Sequence, residues 1–183
     1  MSESFVTIPQ NLAQASPYFI SIAALCTLLL TNNKWCLWFL VTYIVLGEGL
    51  NHLEKFAFKK ALGPVDPWIR PNPPQSGCGI FNECSANGSK TFGFPSGHAQ
   101  TTTFAAMFWS LYIYRQTKWS KTEKCVKIAL LWILAGLVWY SRVDIGCHNW
   151  TQIAGGIAFG ATLGAGSYML IEKHAAFFKK GAY

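Results

Sequence analysis

Two short polar runs, Pro95-Ser96-Gly97-His98 and Ser141-Arg142-x5-His148, border strongly apolar segments of the chain. They set two histidines, an arginine, small hydroxyl residues and a glycine where a membrane would meet water. Residues of these types suit phosphoryl transfer. Cations and backbone N–H groups hold the phosphate, one histidine attacks phosphorus, and the other protonates the departing oxygen. Arg70-Pro71 follows another apolar segment and adds a second arginine. Read singly, each run has an ordinary explanation. Ser96 is a good helix cap with proline nearby, Arg142 a snorkelling side chain at an interface, and His148 a loop histidine.

The elements that must position these residues are membrane helices in a single domain spanning residues 1–183. Hydrophobic residues make up 51% of the chain and charged residues only 13%, too little charge to coat a water-exposed surface. Trp35, Trp119 and Trp150 mark the ends of apolar runs, where bilayer interfaces favour them. The net charge of +7 does not point to nucleic acid, because the basic residues fall between apolar spans and form no polar stripe. No cleavable signal peptide is expected, since residues 1–16 lack a basic start and carry Glu3.

Five spans are expected: from Leu12 or Pro17 to Thr31, Trp35 to Lys55, Gly97 to Arg115, Cys125 to Tyr140, and Trp150 to Ile171. The fold class is therefore an all-α integral membrane bundle. Five spans place all three polar runs on one side, together with the N-terminus, and convergence of this kind reads as a site. Nine of the 15 lysines and arginines fall on the other side or near it. The positive-inside rule makes that side, with the C-terminus, cytoplasmic, and the motif side lumenal or extracytoplasmic. The sequon Asn87-Gly88-Ser89 lies on the motif side.

The start of the third span aims unpaired N–H groups and a favourable helix dipole at an anion in front of Gly97. Glu48, Asn51 and His52 sit near membrane depth and need partners; inner hydrogen-bonding support is the expectation for them. Gly156, Gly160 and Gly164 form a ridge without side chains that suits close helix packing inside the bundle, or a homodimer face. Of the six cysteines, Cys26 and Cys36 read as buried thiols and Cys147 as structural. Cys78 and Cys84 share a loop that permits a disulfide in an oxidising compartment. Asp144 is assigned no chemical role.

Together these residues resemble the type 2 phosphatidic acid phosphatase (PAP2) superfamily. Its signature is a lysine before Arg-Pro, then Pro-Ser-Gly-His, then Ser-Arg-x5-His-x3-Asp. The resemblance covers about residues 48–155. Gly49-Leu50-Asn51-x3-Lys55 and Phe92-Gly93-Phe94 lean toward the polyprenyl and dolichyl diphosphatase branch. It implies a metal-independent membrane phosphatase, with no cofactor, acting on a lipid phosphate or polyprenyl diphosphate. His148 would form a phosphohistidine and His98 would protonate the leaving group. Arg70, Arg142, Ser96, Gly97 and an upstream lysine would hold the phosphate.

Two positions depart from the signature. Gln152 stands where the family has an aspartate behind the nucleophile; it can accept the same hydrogen bond from His148 but brings no charge, so a slower reaction or a substitute carboxylate is expected. The upstream lysine is displaced, leaving Lys55 and Lys59 as candidates, with Lys60 behind them. The alternatives are a lipid phosphotransferase using the same site and a catalytically degenerate membrane protein that binds lipid phosphates.

Overall fold

The computed structural model describes residues 12–71, 78 and 91–179, with side chains as far as residue 174. Cys84, the Asn87 sequon and Lys180 lie outside the described residues. Five long helices make up the bundle: α1 (Ser16–Thr31), α2 (Lys34–Leu62), α3 (Gly97–Arg115), α4 (Lys121–Asp144) and α5 (Trp150–Lys179).

Local sequence explains most of the boundaries. Asn32 takes the left-handed conformation (φ 49°) that turns α1 into α2, and the Asn33 side chain accepts from Trp35 N at 3.0 Å. Gly63, at φ 74°, closes α2. Ser96 caps α3, and Ser120 with Glu123 forms a reciprocal capping box at α4. The α3 boundaries match the expectation. Helices α2, α4 and α5 run past their expected ends because their last turns are polar but still helical. Within α2, Tyr43–Gly49 is wound as a π-helix. Such a segment shifts the faces of all later residues, and the apolar pattern gives no sign of it.

Among the described residues three helices, α2, α4 and α5, are long and apolar enough to cross a membrane. Helix α1 is apolar but has 16 residues. Helix α3 has 19, about 28 Å at 1.5 Å per residue, and is much more polar. It is the centre of the bundle. Gln100, Thr101, Thr102 and Thr103 are buried on it. Thr101 and Thr102 donate their hydroxyls to the carbonyls of Gly97 (3.0 Å) and His98 (2.7 Å), one turn back. Polar side chains satisfied in this way are tolerated at membrane depth. Leu29, Leu30, Leu134 and Leu137 lie exposed on α1 and α4, where lipid chains would meet them.

The glycine ridge of α5 packs on α3. A Cβ at Gly156 would come within 2.5 Å of Ser96 O, and one at Gly164 within 2.6 Å of Phe104 O; one at Gly160 would strike Gln100 O. The ridge is thus occupied within the chain. Phe39, Tyr43, Phe104, Phe108 and Tyr168 form an aromatic core, with Trp35 stacked on Tyr168 at 5.4 Å.

Two cysteine expectations are corrected. Cys78 is bonded to Cys147, joining two motif loops, and not to Cys84. Cys147 is structural as expected. Cys36 is buried, but Cys26 lies exposed on α1, because the α1 face that carries it has no helix packed over it.

Candidate active site

The N-terminal end of α1, the C-terminal ends of α2 and α4, and the N-terminal ends of α3 and α5 meet at one end of the bundle. There a cavity of about 130 Å3 is lined by Lys55, Arg70, His98 and His148, with Gly97 and Glu48 in its wall. Residues from all three polar runs therefore reach one space.

Helix α2 contributes Asn51 and Lys55, four residues apart and so on one face. Asn51 Nδ2 donates to Gln100 Oε1 at 2.7 Å, which fixes α2 against α3. A Cβ at Gly97 would lie 2.9 Å from Asn51 Oδ1 and 3.8 Å from Lys55 Nζ. Glycine leaves room for the Asn51 side chain against the start of α3, and Lys55 Nζ lies at ordinary contact distance beyond it. Lys59 is exposed in the last turn of α2, outside the cavity. Lys60 is exposed beside it.

Arg70 arrives on a short segment, Pro67–Arg70, that leaves a turn at 66–68 and makes one antiparallel bridge, Ile69 with Phe92. Its inward edge pairs with residues 91–93: Arg70 N donates to Thr91 O (2.9 Å) and Gly93 N to Trp68 O (2.7 Å). The carbonyls of Pro67 and Ile69, on either side of Trp68, face Gln152. Both accept from Gln152 Nε2 at 2.8 Å.

Ser96 is fully buried, and its Oγ accepts from Ala99 N at 3.4 Å. Its hydroxyl is a helix cap in this structure, at the edge of the cavity and not in its lining. Arg142 is fully buried in the last turn of α4. Its Nη1 donates to Cys78 O at 3.1 Å, while Nε and Nη2 meet no partner among the described residues. A buried guanidinium in this condition costs several kcal/mol unless an anion meets it.

His98 Nε2 lies 3.0 Å from Gln14 O. A carbonyl can only accept, so Nε2 carries the proton. Arg142 Nη1, 3.4 Å from the same nitrogen, is then a close cation and not a hydrogen-bond partner.

His148 Nδ1 lies 2.8 Å from Gln152 Oε1. The orientation of the amide follows from its neighbours. Two carbonyl oxygens at 2.8 Å require hydrogen donors, so the nitrogen faces them and the oxygen faces His148. His148 is therefore protonated at Nδ1 and keeps its lone pair on Nε2. Burial holds the imidazole well below its ordinary 6.5, and the Arg70 and Lys55 cations push the same way against the Gln152 hydrogen bond. The ring is neutral at physiological pH, the state a nitrogen nucleophile needs.

Gln14, Asn149 and Cys78 were not foreseen. Gln14 falls between Leu12 and Pro17, the two starts expected for the first span. Asn149 signals only as a polar residue before a helix, yet its Nδ2 donates to Pro67 O at 2.8 Å. Glu48 and His52 line the cavity beside Lys55. Asp144 lines a separate opening of about 460 Å3 that also reaches His148. A larger apolar cavity of about 970 Å3 lies between α1, α3 and α4, lined by Phe19, Ala105, Trp109, Leu134 and Val138, and reaching Ser141 at the motif end.

The sequence profile of the PAP2 superfamily matches residues 35–175. A dolichyldiphosphatase of Saccharomyces cerevisiae is 27% identical over 143 residues, 73% of this chain and 55% of that protein. Lipid phosphate phosphatase gamma of Arabidopsis thaliana is 24% identical over 164 residues, 85% of this chain and 62% of that protein. The chain thus spans somewhat over half the length of these relatives. No solved structure matches significantly.

Proposed function

The chain belongs to the PAP2 superfamily, and on that premise we propose that it hydrolyses a lipid phosphate or polyprenyl diphosphate through a phosphohistidine on His148. His148 Nε2 attacks phosphorus. The N–P bond forms as the bond to the leaving oxygen breaks, and His98 gives that oxygen its Nε2 proton. Water then attacks the phosphohistidine, His98 takes the water proton, and inorganic phosphate leaves with His148 restored. Arg142, Arg70 and Lys55 supply the positive charge around the equatorial oxygens, with the Gly97 N–H at the start of α3, which Ser96 caps. The reaction calls on these fixed cations and on no metal.

The observation that carries the proposal is His148 itself. Its Nδ1–H is engaged by Gln152, and its ring lines the cavity shared with His98, Arg70 and Lys55. Gln14 O already accepts from the His98 proton, in the way a leaving oxygen would.

The substrate head group enters from the extracytoplasmic face, and its tail stays in the bilayer. The 970 Å3 apolar cavity beside α3 suits such a tail. Polyprenyl diphosphates are the first substrates to try, given the yeast relative's name and the Asn51-x3-Lys55 pattern.

The test is phosphate release by detergent-purified protein, with EDTA present, on phosphatidate, lysophosphatidate, phosphatidylglycerol phosphate and prenyl diphosphates. Release that persists in EDTA and vanishes in His148→Ala is expected. A folded protein that binds lipid phosphates and releases none would overturn the proposal.

A further inference from the structure

Gln152 touches all three segments that build the site. Its Oε1 accepts from His148 Nδ1. Its Nε2 gives both hydrogens to the Arg70 segment, at Pro67 O and Ile69 O, each at 2.8 Å. Its backbone O accepts from Ser96 N at 3.0 Å, at the cap of α3. The residue is fully buried, so none of these bonds competes with water. Asn149 reinforces the arrangement: its Oδ1 accepts from Gln152 N at 3.0 Å, and its Nδ2 also reaches Pro67 O. Gly93, whose N–H donates to Trp68 O, has no room for a Cβ against the same amide.

We propose that Gln152 is a two-way positioning residue whose oxygen sets the His148 tautomer while its nitrogen holds the Arg70 segment, so that this site requires an amide there. The inference rests on the roles proposed for His148 and Arg70. It reverses the simplest expectation for this position, that a carboxylate would improve the site. A glutamate here keeps the acceptor for His148 but turns a bare oxygen toward two carbonyl oxygens. It loses both donors and adds a buried repulsion. Aspartate and asparagine are one methylene short of spanning the same gap.

The probe is orthovanadate, a phosphate mimic whose binding is read as thermal stabilisation of the purified protein and requires no turnover. Gln152→Glu should weaken half-saturation at least about tenfold at pH 7.5. Between pH 7.5 and 5.5, protonation returns a donor to the glutamate, so its deficit relative to wild type at each pH should shrink. Gln152→Met, which has no donor to recover, should show a deficit that does not change with pH. Loss of packing alone would give both variants the same pH-independent deficit. Should neither variant fold, Asn149→Ala removes one donor to Pro67 O and should weaken vanadate about threefold.

Gln152→Glu protein that binds vanadate as tightly as wild type, or turns over faster, would overturn the inference, as would an Asn149→Ala protein with unchanged affinity when the first two variants do not fold. Wild-type protein that binds vanadate but hydrolyses no lipid phosphate would end the phosphatase proposal alone, and the variants would still decide the clamp. Absence of both turnover and vanadate stabilisation in wild type would end both.

Discussion

Helices α3 and α4 lie side by side, yet they invert the usual relation between hydropathy and burial. The most apolar stretch of α4 has a mean hydropathy of 1.5, and only 11% of it is buried. Helix α3 carries a run of glutamine and threonines and is buried around most of its girth. In lipid there is little hydrophobic gain in bringing two apolar helices together, so close packing falls to small and polar residues whose backbones can approach. The α3–α5 seam is such a contact, with backbone lying against glycine, and it carries the Ser96 cap, His98 and Gln152. The outer face of α4 needs only to be apolar. Rigidity therefore resides where phosphate would be held, and tolerance where lipid chains would lie.

The sharpest way to break this contrast is to add bulk to the seam. Gly156→Leu would drive carbon into Ser96 O and Ala99 Cβ, backbone and near-backbone atoms that cannot step aside. Loss of the proposed phosphatase activity by a hundredfold or more is expected, with a lowered unfolding midpoint or failure to fold. Near-normal activity would show that the seam is not tight.

Gly93→Ala probes the same rigidity from the loop side. Its methyl would strike the Gln152 amide, which three hydrogen bonds hold in place. About a tenfold fall in kcat/KM is expected, with a smaller effect on thermal unfolding.

Reduction of the Cys78–Cys147 disulfide tests the covalent tie between motif loops. Cys78 O anchors Arg142, and a disulfide closing a loop of this length contributes typically about 2–4 kcal/mol. Dithiothreitol, or Cys78→Ser with Cys147→Ser, should lower the unfolding midpoint by several degrees and activity severalfold. No change in either would show that the loops hold without the bond.

A smaller effect follows from the depressed His148 pKa. Below pH 6.5 the unfolded chain protonates this histidine while the folded protein keeps it neutral. Stability is therefore lost as pH falls from 6.5 toward the folded value. The unfolding midpoint of wild type should drop more steeply over this range than that of His148→Gln. Equal slopes would mean that His148 titrates normally in the folded state.

The smallest effect is expected on the lipid-facing side. Leu134 is 60% exposed on α4, and Leu134→Ala should leave both stability and activity within about twofold of wild type. A large loss there would erase the contrast between the two faces.

Much of this was legible in the sequence, and the gaps have physical causes. Pro95-Ser96-Gly97 announces the start of α3 because proline, a capping hydroxyl and a small residue each favour a first turn. The glycine spacing in α5 gives its packing face. The choice between Lys55 and Lys59 was not legible, since motif spacing across a loop says nothing about which helical turn faces inward. The π-helix before Asn51 further alters that face. The Cys78–Cys147 pairing was hidden because it joins loops 69 residues apart. Gln152 was visible as a departure from the family aspartate. What it does with its nitrogen depends on where Pro67 O and Ile69 O lie, and no one-dimensional pattern encodes that.

The most direct test of the central claim is to catch the intermediate. Protein turning over a phosphorus-labelled polyprenyl diphosphate is quenched in alkali, where phosphohistidine survives, and the labelled peptide is mapped. Acid-labile label on His148, absent from His148→Ala, is the predicted result. Sustained phosphate release with no label on His148, or with label on another residue, would contradict it.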